Sequence, residues 1–185
     1  VIDTKHLPME DRQVEWLFKN PLSDGGQFTG VSNLVMKYGV VPAEIMPENY
    51  QSNNTAQVGN LLKLKLREYG LVLRAQKDRR APVALKTEML KEIYSMLVRA
   101  YGVPPTEFEW TLRNKSGEVI STKSYTPQAF YKEYFGDIDL EKDFVMVMND
   151  PSREYHKVYE IEYDRHVYDG DNWVYLNLPI DEVKA

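Results

Sequence analysis

SDGGQFTGVSNLVMKYG, residues 23–39, sets two adjacent glycines directly ahead of a segment in which Phe28, Val31, Leu34, Val35 and Tyr38 recur at helical spacing. That spacing predicts an amphipathic helix, capped at its start by the side-chain oxygen of Ser23 or Asp24 and ended by Gly39 in the left-handed conformation. Such a helix needs neither Gly25 nor Gly26. A glycine pair costs backbone entropy, so its presence points to something that must approach that backbone closely.

Working outward, Pro8 suits the first position of a helix over 8–20 that buries Val14, Leu17 and Phe18 and stops at Pro21. Downstream of Gly39, prolines 42 and 47 punctuate a connection, and Asn53 or Asn54 opens a long helix running toward residue 80. Val58, Leu62, Leu66, Tyr69 and Leu73 mark its inner stripe, with Gly70 as a weak point. Leu85, Met89, Ile93, Met96, Leu97 and Ala100 give the clearest helix, closed by Gly102. Beyond Pro104-Pro105 the pattern turns to strands. Segments 108–113 and 119–124 flank the turn Asn114-Lys115-Ser116-Gly117, and Thr126-Pro127 starts a short aromatic helix over 128–135. Segment 143–148 reads as a buried strand, and 158–163 alternates against 173–178. Helices first and strands later is an α+β order, not the alternation that builds a parallel sheet.

The composition, 43% apolar and 28% charged over 185 residues, is that of a soluble globular chain with a real core. No apolar run reaches the roughly 18 residues of a membrane helix, and the amino end lacks a hydrophobic signal core. A first residue other than Met and a last residue inside a helix start at Pro179-Ile180-Asp181-Glu182 lead us to expect a piece of a longer polypeptide. There is no cysteine, which excludes disulfides, thiolate metal sites and a cysteine nucleophile within these residues and fits a reducing compartment. The net charge of −5 argues against a dedicated nucleic-acid binder. Residues 63–80 nevertheless carry seven basic side chains against two acidic ones, either a solvated helix face or a patch for nucleic acid.

His6, His156 and His166 are scattered and have no metal-ligand spacing, so no metal and no cofactor are expected. Asp164 and His166 form either a dyad or a surface pair on a hairpin. Asp169-Gly170-Asp171-Asn172 is like the opening of a calcium loop but lacks its later ligands, and reads as a hairpin turn. No serine elbow, dinucleotide fingerprint or phosphate loop is present.

SDGGQF (23–28), VMKYGVVPAEIMPENYQS (35–52), YGVPPTEFEW (101–110), TPQAFYKEYF (126–135), VMNDPSREYHKVYEIEY (147–163) and LPID (178–181) together resemble the bleomycin hydrolase and aminopeptidase C family of papain-like cysteine peptidases. The resemblance runs along essentially the whole chain. It implies a papain-like α+β fold fragment: the remainder of the helical lobe over 1–50, a mostly helical insertion with a β-hairpin over 51–150, and a hairpin leading toward the barrel lobe over 151–185. It also implies that Gly25 and Gly26 form an extended edge to which a peptide substrate hydrogen-bonds, while Gln27 and Phe28 wall the adjoining pocket. Phe28 stands where the family usually has Trp, and Ser23 where many papain-like enzymes have a disulfide cysteine.

The resemblance further implies a Cys-His-Asn triad and an oxyanion glutamine, none of which lies in this chain. His6, His156 and His166 do not stand in the catalytic histidine's motif. The expected function is therefore the central part of a cytoplasmic cysteine aminopeptidase acting on short peptides, inactive by itself. Its family relatives form a hexameric ring, and helices 62–80 and 85–101 are the expected subunit contacts. The alternative is a non-catalytic binding module or scaffold, with Arg74, Lys77, Arg79 and Arg80 contacting nucleic acid.

Overall fold

The computed structural model describes residues 1–23, 25–77, 81–162, 164–166 and 169–184. In chain order the elements are α1 (Arg12–Lys19), α2 (Phe28–Tyr38), α3 (Tyr50–Asn53), α4 (Thr55–Ala75), α5 (Ala81–Tyr101), β1 (Phe108–Arg113), β2 (Val119–Tyr125), α6 (Pro127–Phe135), β3 (Met146–Met148), β4 (Lys157–Ile161), β5 (Trp173–Asn177) and α7 (Ile180–Val183). They divide into two units, each assembled from two stretches of chain: Val1–Asp24 with Pro47–Pro104, and Gly25–Met46 with Pro105–Ala185.

The first unit is helical. Asp11, not Pro8, starts α1: its carboxylate accepts from the Gln13 and Val14 amides, and Val14 is wholly buried. On α4, Leu62, Tyr69 and Leu73 turn inward as their spacing predicts. Tyr69 and Leu73 meet Met89 of α5, with Leu85, Ile93 and Ile2 around them. Gly70 is where Phe18 packs, since a Cβ there would lie 2.9 Å from the Phe18 ring. The basic run of α4 is engaged within the unit. Arg67 donates to the Phe18 and Lys19 carbonyls at 2.8 and 3.0 Å, neutralising the end of α1, and Arg74 donates to the carbonyls of Thr4 and Leu7. Lys65 pairs with Glu68 and Glu92, while the Tyr69 hydroxyl donates to Glu92. Arg79 and Arg80 lie outside the described residues.

The second unit holds the strands. β1 and β2 form an antiparallel hairpin in which Phe108 opposes Tyr125, and Thr126 caps α6 through the Ala129 amide. Phe108, Tyr125 and Phe130 make its aromatic core, ringed by Val40, Val41, Ile45, Trp110 and Tyr134. In a separate three-stranded sheet β5 is central, antiparallel to β4 and parallel to β3. Asn177, wholly buried, organises the neighbouring loop: its Oδ1 accepts from the Asp150 amide at 2.8 Å and its Nδ2 donates to carbonyls of Asp150, Arg153 and Glu154.

Three expectations change. The strand read over 143–148 shortens to three residues and is not buried, Val147 being 45% exposed, because one neighbour, β5, pairs with it. Ser23 does not cap the start of α2, and Asp24 lies outside the described residues. Gln27 is its N-cap residue, with no side-chain bond, and only its carbonyl accepts, from Gly30 and Val31. Finally, the apolar stripe of α2 points outward: Val31, Leu34 and Tyr38 are 39–57% exposed, while Gly30, Ser32 and Asn33 are buried.

Gly39 ends α2 at φ 76°, and the next amide, Val40, donates to the Pro127 carbonyl at 3.2 Å. A Cβ at Gly39 would overlap the Pro127 backbone. We expect Gly39→Ala to destabilise this unit by about 1–3 kcal/mol from the positive φ alone, and more from the clash, read as a lower urea midpoint.

Candidate functional site: the glycine edge and the segment laid along α2

Gly25, Gly26 and Gln27 form an exposed irregular run leading into α2, of which Gln27 is extended, and the helix opens at the exposed Phe28. The two glycines differ. At Gly25 a Cβ would meet nothing within 4 Å and φ is not positive, so the described fold makes no demand for glycine there. At Gly26 a Cβ would lie 2.0 Å from Nε2 of His166, and at Gly30 2.0 Å from Cδ2 of the same ring, a clash in both cases. The imidazole thus fills the room that two missing side chains leave.

His166 belongs to the β4–β5 connection, whose described residues lie along one stripe of α2. Within α2, residues 30, 33 and 37 are spaced by three and four, so they share a face, and Gly26, ahead of the helix, meets the same ring as Gly30. Asn33 and Asp171 exchange hydrogen bonds, Asn33 Nδ2 to Asp171 Oδ2 at 3.1 Å and the Asp171 amide to Asn33 Oδ1 at 2.9 Å. One turn on, Lys37 Nζ pairs with Asp169 Oδ1 at 2.7 Å. That bond holds the Asp169 carboxyl below the usual carboxylate range and raises Lys37. Trp173, the first residue of β5, meets His166 edge to face with centroids 5.5 Å apart. The Trp173 indole N–H is buried with no partner among the described residues.

Asp169 and Asp171 are therefore committed to α2, and the segment read as a hairpin turn is also a strap. No hydrogen bond or ion pair among the described residues joins Asp164 to His166. The Asp164 carbonyl instead accepts from the Trp173 amide at 2.9 Å, closing the hairpin. His156, at φ 61°, bonds Glu182 through Nε2 at 3.0 Å. Of the sequence-predicted residues, Phe28 packs on Phe144 with centroids 5.1 Å apart. It also borders a cavity of about 270 Å³ shared with Ser32, Asn33, Met146, Asn172 and Val174. Gln27 contributes only its backbone.

The peptidase C1-like family model matches residues 1–185. The chain belongs to that family. It is 36% identical to aminopeptidase C of Listeria innocua, covering 100% of this chain and 42% of that protein. With human bleomycin hydrolase the identity is 33%, over 96% of this chain and 40% of the relative. Over 99% of its length the chain superposes on the crystal structure of pepW from Lactobacillus rhamnosis HN001 with a TM-score of 0.92 and 36% identity, covering 42% of that chain. The α+β class and the papain-like fragment expected from the sequence accordingly hold.

Sequence reasoning missed His166, Asn33 and Asp171 as partners. The detectable signal was Gly30 inside a helix, in line with Asn33 and Lys37.

Two outcomes test this strap. Asn33→Ala should strip protection from the Asp171 amide in hydrogen exchange and cost about 1–3 kcal/mol, since it leaves a part-buried donor unpaired. Lys37→Met should return the Asp169 titration upward to the ordinary carboxylate range in a carboxyl NMR titration. The sign follows from linkage: a depressed carboxylate contributes stability above its ordinary range and loses it as pH falls through the lowered value, so the variant should lose that contribution near neutral pH.

Proposed function

We propose that this chain is the central part of a cysteine aminopeptidase that hydrolyses N-terminal peptide bonds, with its Cys-His-Asn triad and oxyanion glutamine in other parts of the polypeptide. Relatives named aminopeptidase C and bleomycin hydrolase, of which the chain spans about two fifths, support the reading. The observation that carries it is Gly25: exposed, unstrained and with open space where a side chain would stand. The described fold gives no reason for glycine at that position, whereas a peptide backbone pairing with an extended edge does. Such pairing grips any peptide regardless of its side chains. Phe28 and Phe144 supply the apolar wall beside it.

The outward apolar stripe of α2, Val31, Leu34 and Tyr38, is in this reading the surface against which the remainder of the helical lobe packs. The exposed outer residues Leu61, Leu64 and Leu71 of α4, with Val83, Leu90 and Tyr94 of α5, are contacts between copies in a homo-oligomer, and the absence of cysteine fits a cytoplasmic protein. Light scattering of the full-length protein tests the assembly: a monomer at micromolar concentration would overturn that part.

In the full-length protein, aminoacyl-amidomethylcoumarin substrates should be hydrolysed in a manner abolished by thiol alkylation. Gly25→Val should lower kcat/KM at least tenfold with an unchanged melting temperature, because the added side chain meets only the substrate's path. Unchanged kcat/KM in that variant would refute the role of the edge.

A further inference from the structure

We propose that Asp169-Gly170 is a site of spontaneous backbone modification, rearrangement to isoaspartate through a cyclic imide, and that the ties between the β4–β5 connection and α2 hold this reaction in check. The inference stands apart from the peptidase reading and from the glycine edge.

The sequence supplies the chemistry. Asp-Gly occurs twice, at 24–25 and 169–170, and Asn-Gly not at all. In such a pair the second residue has no Cβ, so its amide nitrogen can swing onto the preceding side chain without obstruction. The Gly170 nitrogen attacks Cγ of the protonated Asp169 carboxyl; an N–Cγ bond forms, and the amide hydrogen leaves with the carboxyl OH as water. Water then opens the imide at either carbonyl. Breaking the N–Cγ bond restores aspartate, whereas breaking the bond to the Asp169 main-chain carbonyl routes the backbone through Cγ. The net change is an isomerisation that needs no co-reactant but water and leaves mass and charge unchanged. The carboxylate then sits directly on Cα, one carbon short of its place opposite Lys37.

The structure shows both access and restraint. Asp169 lies in an irregular connection with 65% of its side chain exposed, so water reaches the carboxyl. Restraint comes from both sides of Gly170. Before it, Asp169 Oδ1 is held by Lys37 Nζ at 2.7 Å. After it, the Asp171 amide donates to Asn33 Oδ1 at 2.9 Å, and Asp171 Oδ2 accepts from Asn33 Nδ2 at 3.1 Å. Ring closure needs the nitrogen and Cγ aligned at about 3–3.5 Å. Protonating the carboxyl breaks its ion pair with Lys37, and reaching that alignment turns a glycine whose two neighbours α2 holds. The Lys37 bond, followed by one from the Asp169 amide, also keeps the carboxyl ionised, the form that cannot lose OH as water. Once isomerisation has occurred, the inserted methylene and the displaced carboxylate remove the Lys37 tie, so each event loosens the strap at this end.

The test is prolonged incubation of the full-length protein at neutral pH and physiological temperature. Isoaspartate at residue 169 is read as a tryptic peptide of unchanged mass and shifted retention that accepts a methyl group from protein isoaspartyl methyltransferase. Wild type should accumulate it more slowly folded than unfolded in urea. Lys37→Met and Asn33→Ala should each accelerate it in the folded protein by about two- to fivefold, the range an exposed tie supplies, while Lys37→Arg, which keeps the pair, should stay at the wild-type rate. Isoaspartate at Asp24, in the other Asp-Gly pair, should form at one rate in wild type and all three variants, which separates loss of a local tie from general unfolding. No isoaspartate at 169 in folded wild type or Lys37→Met overturns the site. Equal rates at 169 in wild type, Lys37→Met and Asn33→Ala overturn the restraint, as does acceleration at Asp24 in step with 169.

Discussion

The approach of the β4–β5 segment to α2 depends on two hydrogens where side chains would otherwise stand. With any larger residue at 26 or 30, His166 could not lie against the start of the helix. The contacts that follow along the same stripe, Asn33 with Asp171 and Lys37 with Asp169, continue one line of approach. Polar and small residues occupy this inner stripe because the partner is a loop with backbone groups to satisfy, not a second apolar face. The apolar residues of α2 consequently take the outer side. The helix thus holds a strap on its polar side and leaves Val31, Leu34 and Tyr38 exposed on the other.

The second unit shows the same division of labour on a larger scale. One aromatic core, Phe108, Tyr125 and Phe130, holds the hairpin to α6 by ring packing. The three-stranded sheet relies more on directed polar bonds. Asn177 alone satisfies three carbonyls and an amide of the loop before β4, and its carbonyl accepts from the His156 amide at 2.7 Å. In the helical unit, long basic side chains play that part. Arg67 and Arg74 reach carbonyls of the amino-terminal segment, so the positive charge that a sequence count places on α4 is partly spent within the fold.

What was legible in the sequence follows from periodicity. The long helices α4 and α5, the β1–β2 hairpin and the helix after Thr126-Pro127 appear as expected because each is set by local spacing and a capping or turn residue. The misreadings share a cause. Ser23 had the right chemistry to cap α2, but the helix starts later, at Phe28, with Gln27 as its N-cap residue. The run 143–148 is apolar enough for a buried strand, yet β3 is an edge strand paired on one side only, and Val147 stays exposed.

The candidate site divides along the same line. The sequence alone raised the expectation of a close approach at Gly25-Gly26, since a glycine pair costs backbone entropy, and the family motifs raised that of a peptide-binding edge. It did not determine what meets each glycine. Only the tertiary structure decided that Gly26 is met by His166 of the same chain while Gly25 is left open. The physical reason is distance along the chain: 140 residues separate Gly26 from His166, and no local propensity encodes a contact that exists only once β4 and β5 have paired and laid their connection against α2.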